Sequence, residues 1–127
     1  MNDREYLEYC LDLLADFAEN LGRHAEQLPA EDPLRALAAE FANLGGGDGD
    51  LYGEGASLVS RLFTGFPDVA PLLPRDLLWF FGGECLHFMP DAEIEAYQRL
   101  EQQRLQAAAR GERLDLRAAR ANLLKLQ

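Results

Sequence analysis

The residues most suggestive of chemistry form one short stretch, Glu84-Cys85-Leu86-His87. On a helix, Glu84 and His87 share a face at the three-residue spacing that carboxylate-bridged di-metal sites use in helical bundles. Such a site needs a second pair of this kind, but the only other histidine is His24, and the residue three positions before it is a leucine. Glu84, Cys85 and His87 therefore define a candidate pocket for a small molecule, a metal or catalysis, but not a di-metal centre.

A zinc site would need four ligands, and the remaining cysteine and histidine are Cys10 and His24. The first predicted helix carries both of them, 14 residues apart, which is about 21 Å along a straight helix. One zinc ion cannot span that distance together with Cys85 and His87. The sequence therefore predicts no metal site, and it indicates no cofactor.

The glycine-rich stretch 45–55 resembles a calcium-binding loop only in its first half. Asp48, Asp50 and Gly53 occupy the first, third and sixth positions of such a loop, but the twelfth position is Val59 where a bidentate glutamate is required. The stretch also lacks the lysine and the serine or threonine of a phosphate-binding loop. We therefore predict a solvated loop over residues 45–55.

The sequence offers little for nucleophilic catalysis. Neither Ser57 nor Ser60 lies in a Gly-x-Ser-x-Gly elbow, and Cys10 lies on an apolar stripe, where a thiolate is disfavoured. On a helix, Cys85 and His87 would point to different faces. We therefore predict that the protein is not an enzyme.

The elements that carry these residues are predicted to be helices. The chain holds 24 Leu and 18 Ala but only 2 Val, 1 Ile and 1 Thr among its 127 residues, a composition that favours helices and nearly excludes an extensive sheet. The sequence predicts an all-α fold, an irregular bundle of five to six helices in a single domain over residues 1–127. Helical periodicity and capping residues place these helices at 3–28, 33–44, 56–64, 74–81 and 91–110, with a last one beginning after Asp115.

Capping residues and glycines mark the predicted helix ends. We expect caps at four helix starts, from Asp3, Asp32, Asp91 and Asp115. Gly82 and Gly83 are expected to interrupt the helix that begins at Pro74, and Gly111 to end the one that runs to about Arg110.

The predicted inward faces follow helical spacing. Leu105 belongs to the inward face of the fifth helix. The first helix carries a seven-residue stripe in which only His24 is polar, made of Leu7, Cys10, Leu14, Phe17, Leu21, His24 and Leu28.

One of these helices carries an apolar run, Leu77–Phe81, that surrounds its whole circumference. A domain of this size has few helices to cover such an element, so a second copy of the chain is the expected cover. The sequence thus predicts a homodimer, or an interaction with another protein. The candidate interface residues are Leu77, Trp79, Phe80, Phe81, Phe88 and Met89.

Charge is distributed unevenly along the chain. The net charge is −10, and residues 1–98 hold 5 basic and 19 acidic side chains. This excess of acid predicts no direct binding of nucleic acid, although it leaves open an acidic mimic of nucleic acid. No secretory signal and no apolar stretch long enough to span a membrane are present, so we expect a cytoplasmic protein without membrane contact.

The block from Pro74 to Asp91, PRDLLWFFGGECLHFMPD, resembles a small family of short acidic proteins from pseudomonads and their relatives. No activity is assigned to that family. The resemblance therefore implies a bacterial cytoplasmic protein and supplies no catalytic residue. Together with the residues, it favours a regulatory or protein-interaction module, with a pocket around Glu84 and His87 as the alternative.

Overall fold

The fold is all-α, as predicted. The computed structural model describes residues 2–44, 50–112 and 114–125; 81% of these are helical and none lies in a strand. Six α-helices and two 3-10 segments follow one another in this part of the chain. They are α1 (Asp3–Glu26), α2 (Pro33–Leu44), α3 (Leu51–Gly65), a 3-10 turn (Ala70–Leu72), α4 (Arg75–Phe81), a 3-10 segment (Gly83–Phe88), α5 (Asp91–Ala109) and α6 (Leu116–Lys125).

The chain divides into two compact units. The central unit is Cys10–Phe88, and the terminal unit combines Met1–Tyr9 with Met89–Gln127. Helix α1 contributes its first residues to the terminal unit and the rest to the central unit. The single domain predicted over residues 1–127 stays a prediction.

Side-chain caps fix several helix starts. The Asp32 carboxylate accepts from Leu34 N at 2.9 Å, and the Asp115 carboxylate accepts from Ala118 N at 3.2 Å, which confirms both predicted caps. The predicted cap of α1 at Asp3 is wrong. Asn2 caps that helix, because its side-chain oxygen accepts from Glu5 N at 2.8 Å. At the start of α5, the predicted cap Asp91 is already the first helical residue and Pro90 precedes it.

Helix α3 begins earlier than predicted, at Leu51. The prediction of a loop is therefore wrong for residues 51–55 and holds at Asp50, which precedes the helix. The rest of the predicted loop, residues 45–49, lies outside the described residues. Asp50 explains the difference, because its side chain accepts from Gly53 N at 3.1 Å and caps a helix that runs through two glycines. The helical backbone at Gly53 and Gly55 is an ordinary conformation for glycine once a cap and packing hold it.

The core of the central unit is built from buried apolar side chains of α1, α2, α3 and α4. Phe17 and Phe41 meet edge to face with ring centroids 5.2 Å apart. The predicted seven-residue stripe of α1 is buried at its centre, whereas His24 is exposed. The buried residues of this helix are Cys10, Leu14, Phe17, Ala18, Leu21 and Ala25.

Glycines end α4 and open the next segment. Gly82 has φ +62° and ψ −151°, a backbone region that only glycine occupies readily, and Gly83 has φ +52°. The predicted interruption at these two glycines is confirmed. The chain then turns through the 3-10 segment, which brings Phe88 to 4.4 Å from Phe63 of α3, with the two rings stacked at 18°.

The terminal unit is organised around α5. Tyr97, Leu100, Arg104 and Ala107 share one face of this helix and are buried. The sequence predicted Leu105 on that face, but Leu105 is 50% exposed, because it lies about 100° around the helix from Arg104. Gly111, at φ +71°, ends the helix close to the predicted position.

Candidate interaction surface

The apolar run of α4 divides into an inner and an outer half. Leu77, Leu78 and Phe81 are buried, whereas Trp79 and Phe80 are only half-buried. The spacing of an α-helix explains this division, since residues 77, 78 and 81 share one side and residues 79 and 80 turn about 100° to 200° further round. The other two predicted interface residues also differ, because Met89 is buried and Phe88 is half-buried.

A further aromatic side chain extends the outer half of α4. Tyr52, in the first turn of α3, lies with its ring centroid 5.1 Å from that of Phe80 and is 51% exposed. The ring centroid of Phe80 in turn lies 5.2 Å from that of Phe81. The half-buried Phe80 ring therefore contacts both the exposed Tyr52 ring and the buried Phe81 ring. We call Tyr52, Trp79 and Phe80 the aromatic surface.

The packing beneath the aromatic surface is tight. A Cβ atom placed on Gly55 would overlap the ring of Phe81, so α3 approaches α4 as closely as glycine allows. Arg75, at the start of α4, donates from Nη2 to the carbonyl oxygen of Phe88 at 3.0 Å and ties the 3-10 segment to this helix. The three residues of the aromatic surface therefore belong to closely packed helices and not to the tip of a loop.

The residues of the predicted pocket lie in the 3-10 segment Gly83–Phe88. Glu84 and His87 are exposed, whereas Cys85 is 1% exposed. With three residues per turn, Glu84 and His87 lie one above the other on the outer side, and Cys85 points inward. Burial, with a smaller contribution from the Glu84 carboxylate, raises the pKa of the Cys85 thiol. Cys85 is therefore a protonated, enclosed thiol at neutral pH, whereas the side chains of Glu84 and His87 are exposed. A pocket formed by these three residues stays a prediction.

The part of the chain that the structure describes contains no group of three or more His, Cys, Asp or Glu side chains placed to hold a metal ion. No helix in the same part is both long enough and apolar enough to cross a membrane.

A groove that the sequence did not predict lies between α2 and α3. Its volume is about 540 Å³, and carboxylates at Glu40, Asp50 and Glu54 line it. Arg61 is the basic residue that lines it, and its Nη1 is 2.7 Å from the Glu40 carboxylate. The groove could not be foreseen because the sequence predicted a loop where α3 begins. Glu54 lies two residues after Tyr52 on α3, so the groove that it lines and the Tyr52 ring lie on different sides of this helix.

The model of one protein family, described as PA2817-like, matches residues 2–127 of the chain. No curated protein and no solved structure matches it. The family match confirms the resemblance noted in the sequence at the level of a shared family. The acidity of the other members and the organisms that contain them stay predictions.

Proposed function

We propose that this chain, which belongs to the PA2817-like family, is a non-enzymatic protein-interaction module of the cytoplasm that binds its partner through the aromatic surface. The observation that carries the proposal is that Tyr52 is 51% exposed beside Phe80, and that Phe80 and Trp79 are only half-buried on α4. Aromatic side chains with one face packed and one face in water are typical of binding hot spots, because a partner gains large apolar contact with little loss of side-chain entropy.

The state of the predicted pocket also supports an interaction module over an enzyme. An active site usually gathers its reactive groups in a concave, partly desolvated pocket. Here Glu84 and His87 are exposed and the Cys85 thiol is buried with a raised pKa. A buried, protonated thiol is a poor nucleophile.

Self-association through the aromatic surface is part of the proposal. A two-fold homodimer would cover the same apolar patch on both copies, which is the commonest way in which proteins hide such patches. The sequence predicted this homodimer from the apolar run of α4, and it stays a prediction.

Site-specific photo-crosslinking in cells tests whether the aromatic surface is the binding site. A photoreactive phenylalanine analogue is placed at Tyr52, and the matched control carries it at Leu105, which is equally exposed at 50% but lies on α5. We expect a discrete crosslinked species from position 52, and none from position 105. Equal crosslinking from both positions, or none from position 52, would contradict the proposal.

A further inference from the structure

We propose that the first turn of α3, Leu51–Glu54, is a local switch that opens and closes as one unit and completes the aromatic surface when it is closed. In the closed state the turn is helical and Tyr52 lies against Phe80. In the open state the turn leaves the helix and carries Tyr52 away from Phe80. The opening follows from contacts within the central unit, and its role in binding rests on the proposed function.

Helix α3 changes from an exposed to a packed element at Gly55. None of the four residues Leu51–Glu54 is buried, whereas Gly55 is buried and a Cβ atom added to it would overlap the Phe81 ring. Segments with few buried apolar contacts open locally, while packed segments open only at a much higher free energy. Gly55 is therefore the fixed end of the switch, and the four residues before it can open without the rest of the helix.

Asp50 holds the turn at its beginning. Its carboxylate accepts from Gly53 N at 3.1 Å, and its carbonyl oxygen accepts from Glu54 N at 2.9 Å. A side-chain cap favours the helical state by about fivefold, but glycine at position 53 favours the open state by about fivefold relative to alanine. A Cβ atom at position 53 would overlap the Asp50 carboxylate, so this cap requires the glycine that offsets it.

The Tyr52 ring joins the turn to α4. Its centroid lies 5.1 Å from that of Phe80, with the two rings tilted by 40°. Such a pair changes an equilibrium constant by about twofold to tenfold. Because the cap and Gly53 nearly cancel, this ring contact decides the balance between the closed and the open turn. The closed turn is thus favoured by a small factor.

The side of the turn opposite the Tyr52 ring borders open space. Asp50, Gly53 and Glu54 line the groove between α2 and α3, whose volume is about 540 Å³. The turn can therefore move towards the groove and away from Phe80 without displacing packed side chains. A partner that contacts Tyr52 and Phe80 together binds only the closed turn, and its binding shifts the turn towards the closed state.

Amide hydrogen exchange followed by NMR measures the opening in the full chain. We expect the amides of Gly53 and Glu54 to exchange through one local opening, with protection factors that agree within about threefold. These should be at least about a hundredfold below the protection factors of Val59 and Leu62, which are fully buried further along the same helix.

Substitutions at position 52 test whether the ring holds the turn. We expect Tyr52→Ala to lower the protection of Gly53 and Glu54 together by about twofold to tenfold, because it removes the contact with Phe80. Tyr52→Phe keeps the ring and should leave both amides within about twofold of the unaltered protein. Leu105→Ala, at a side chain that is 50% exposed on α5, is the matched control and should also have no effect.

Substitutions at position 50 test whether the turn controls binding, since they leave all three residues of the aromatic surface in place. Asp50→Ala removes the cap and should lower the protection of Gly53 and Glu54 by about fivefold, whereas asparagine keeps a good cap. A photoreactive phenylalanine analogue at Trp79 reports the partner in cells. We expect its crosslinking to fall by about twofold with Asp50→Ala relative to Asp50→Asn, because apparent affinity follows the fraction of molecules that are competent to bind.

The outcomes separate this inference from the proposed function. Protection at Gly53 and Glu54 equal to that at Val59, or protection that ignores Tyr52→Ala, would overturn the switch. If Asp50→Ala opens the turn but leaves the crosslink from position 79 unchanged, the turn does not control binding, and the inference is wrong while the proposed function stands. If the unaltered background gives no crosslink from position 52 or position 79, the proposed function fails and the role of the switch in binding fails with it.

Discussion

Arg104 shows how much a single side chain contributes to the terminal unit. Its side chain is only 6% exposed, yet its Nη1 lies 2.9 Å from the Asp3 carboxylate, which is 88% exposed. The guanidinium also lies 4.6 Å above the Tyr6 ring. The long stem is thus buried while the charge reaches a carboxylate at the protein surface, an arrangement typical of arginine. Arg104 thus connects α5 to the first turn of α1.

We expect Arg104→Ala to lower the free energy of unfolding by about 2 to 3 kcal/mol, because it removes buried packing, the contact with the Tyr6 ring and the ion pair together. Asp3→Asn removes only the exposed half of the pair and should cost less than about 1 kcal/mol. Urea titration followed by circular dichroism measures both. Equal losses for the two variants would show that the ion pair, and not the burial of the stem, stabilises this contact.

The Cys85 thiol makes the stability of the protein depend on pH in the alkaline range. Burial, followed by the Glu84 carboxylate, raises the pKa of this thiol above its ordinary value. The unfolded chain therefore releases the thiol proton at a lower pH than the folded chain does. Below the pKa of the Cys85 thiol in the unfolded chain, the thiol does not change the free energy of unfolding. As pH rises from that value towards the higher pKa of the folded chain, the free energy of unfolding falls.

We expect the unaltered protein to lose more stability between about pH 8 and pH 10 than Cys85→Ala, at a rate of at most about 1.4 kcal/mol per pH unit. The alanine variant lacks this titration but keeps every other titrating side chain, so it is the control. Urea midpoints at a series of pH values provide the comparison. Parallel curves would mean that the buried thiol is not the cause.

At the scale of elements, α3 and α4 approach each other closely at Gly55. The second glycine of α3, Gly55, contacts the edge of the Phe81 ring, and Phe81 is itself buried beneath the aromatic surface. A side chain at position 55 would push the two helices apart or force the ring out of its rotamer. The cost of glycine within a helix is thus offset by the packing that it permits.

Gly55→Ala should destabilise the protein by about 1 to 3 kcal/mol, because its methyl group would overlap the Phe81 ring. Gly22→Ala is the matched control within α1, where nothing lies within 4 Å of an added Cβ atom, and it should stabilise the protein by about 0.5 to 1 kcal/mol. Thermal or urea unfolding of the two variants gives the sign directly. A stabilising alanine at position 55 would contradict the close approach of α3 to α4.

At the scale of the whole molecule, the dominant feature is the unequal division of charge. Nine of the ten net negative charges belong to the central unit. The terminal unit is almost neutral because its arginines balance its acids. Within the described residues many of these arginines are matched locally, as Arg99 is with Glu95 at 2.7 Å and Arg110 with Glu112 at 3.5 Å.

This division gives self-association an unusual salt dependence. If two copies associate through their aromatic surfaces, we expect the dimer to strengthen as NaCl rises from about 50 to about 500 mM, because salt screens the repulsion between acidic units and leaves apolar contact intact. Sedimentation equilibrium over this range measures the change in dissociation constant. Phe80→Glu is the interface variant, and Glu8→Gln, on the exposed side of α1, is the control. Association that weakens with salt would mean that ion pairs hold the copies together.

The sequence by itself determined the helical fold and most of its boundaries. Leucine and alanine outnumber β-branched residues so heavily that no sheet could compete, and this preference acts locally, before any tertiary contact forms. Asp32 with Pro33, the glycines at 82 and 83, Gly111 and Asp115 mark helix ends by backbone geometry and capping, which are also local effects. The apolar run of α4 is also a local feature of the sequence, and it identified the helix that carries two residues of the aromatic surface.

Tertiary structure decided what depends on neighbours distant in the chain. The close approach of α3 to α4 depends on the Phe81 ring, which occupies the space beside Gly55. On α5, Arg104 is buried and Leu105 is not, because the Arg104 guanidinium binds the Asp3 carboxylate and lies over the Tyr6 ring. Asp3 is 101 residues away from Arg104 in the sequence. Tyr52 belongs to the aromatic surface because the packing of α3 and α4 places its ring beside that of Phe80. Local periodicity reports which residues can share a face, but only the packed neighbours determine which face is covered and which is left to a partner.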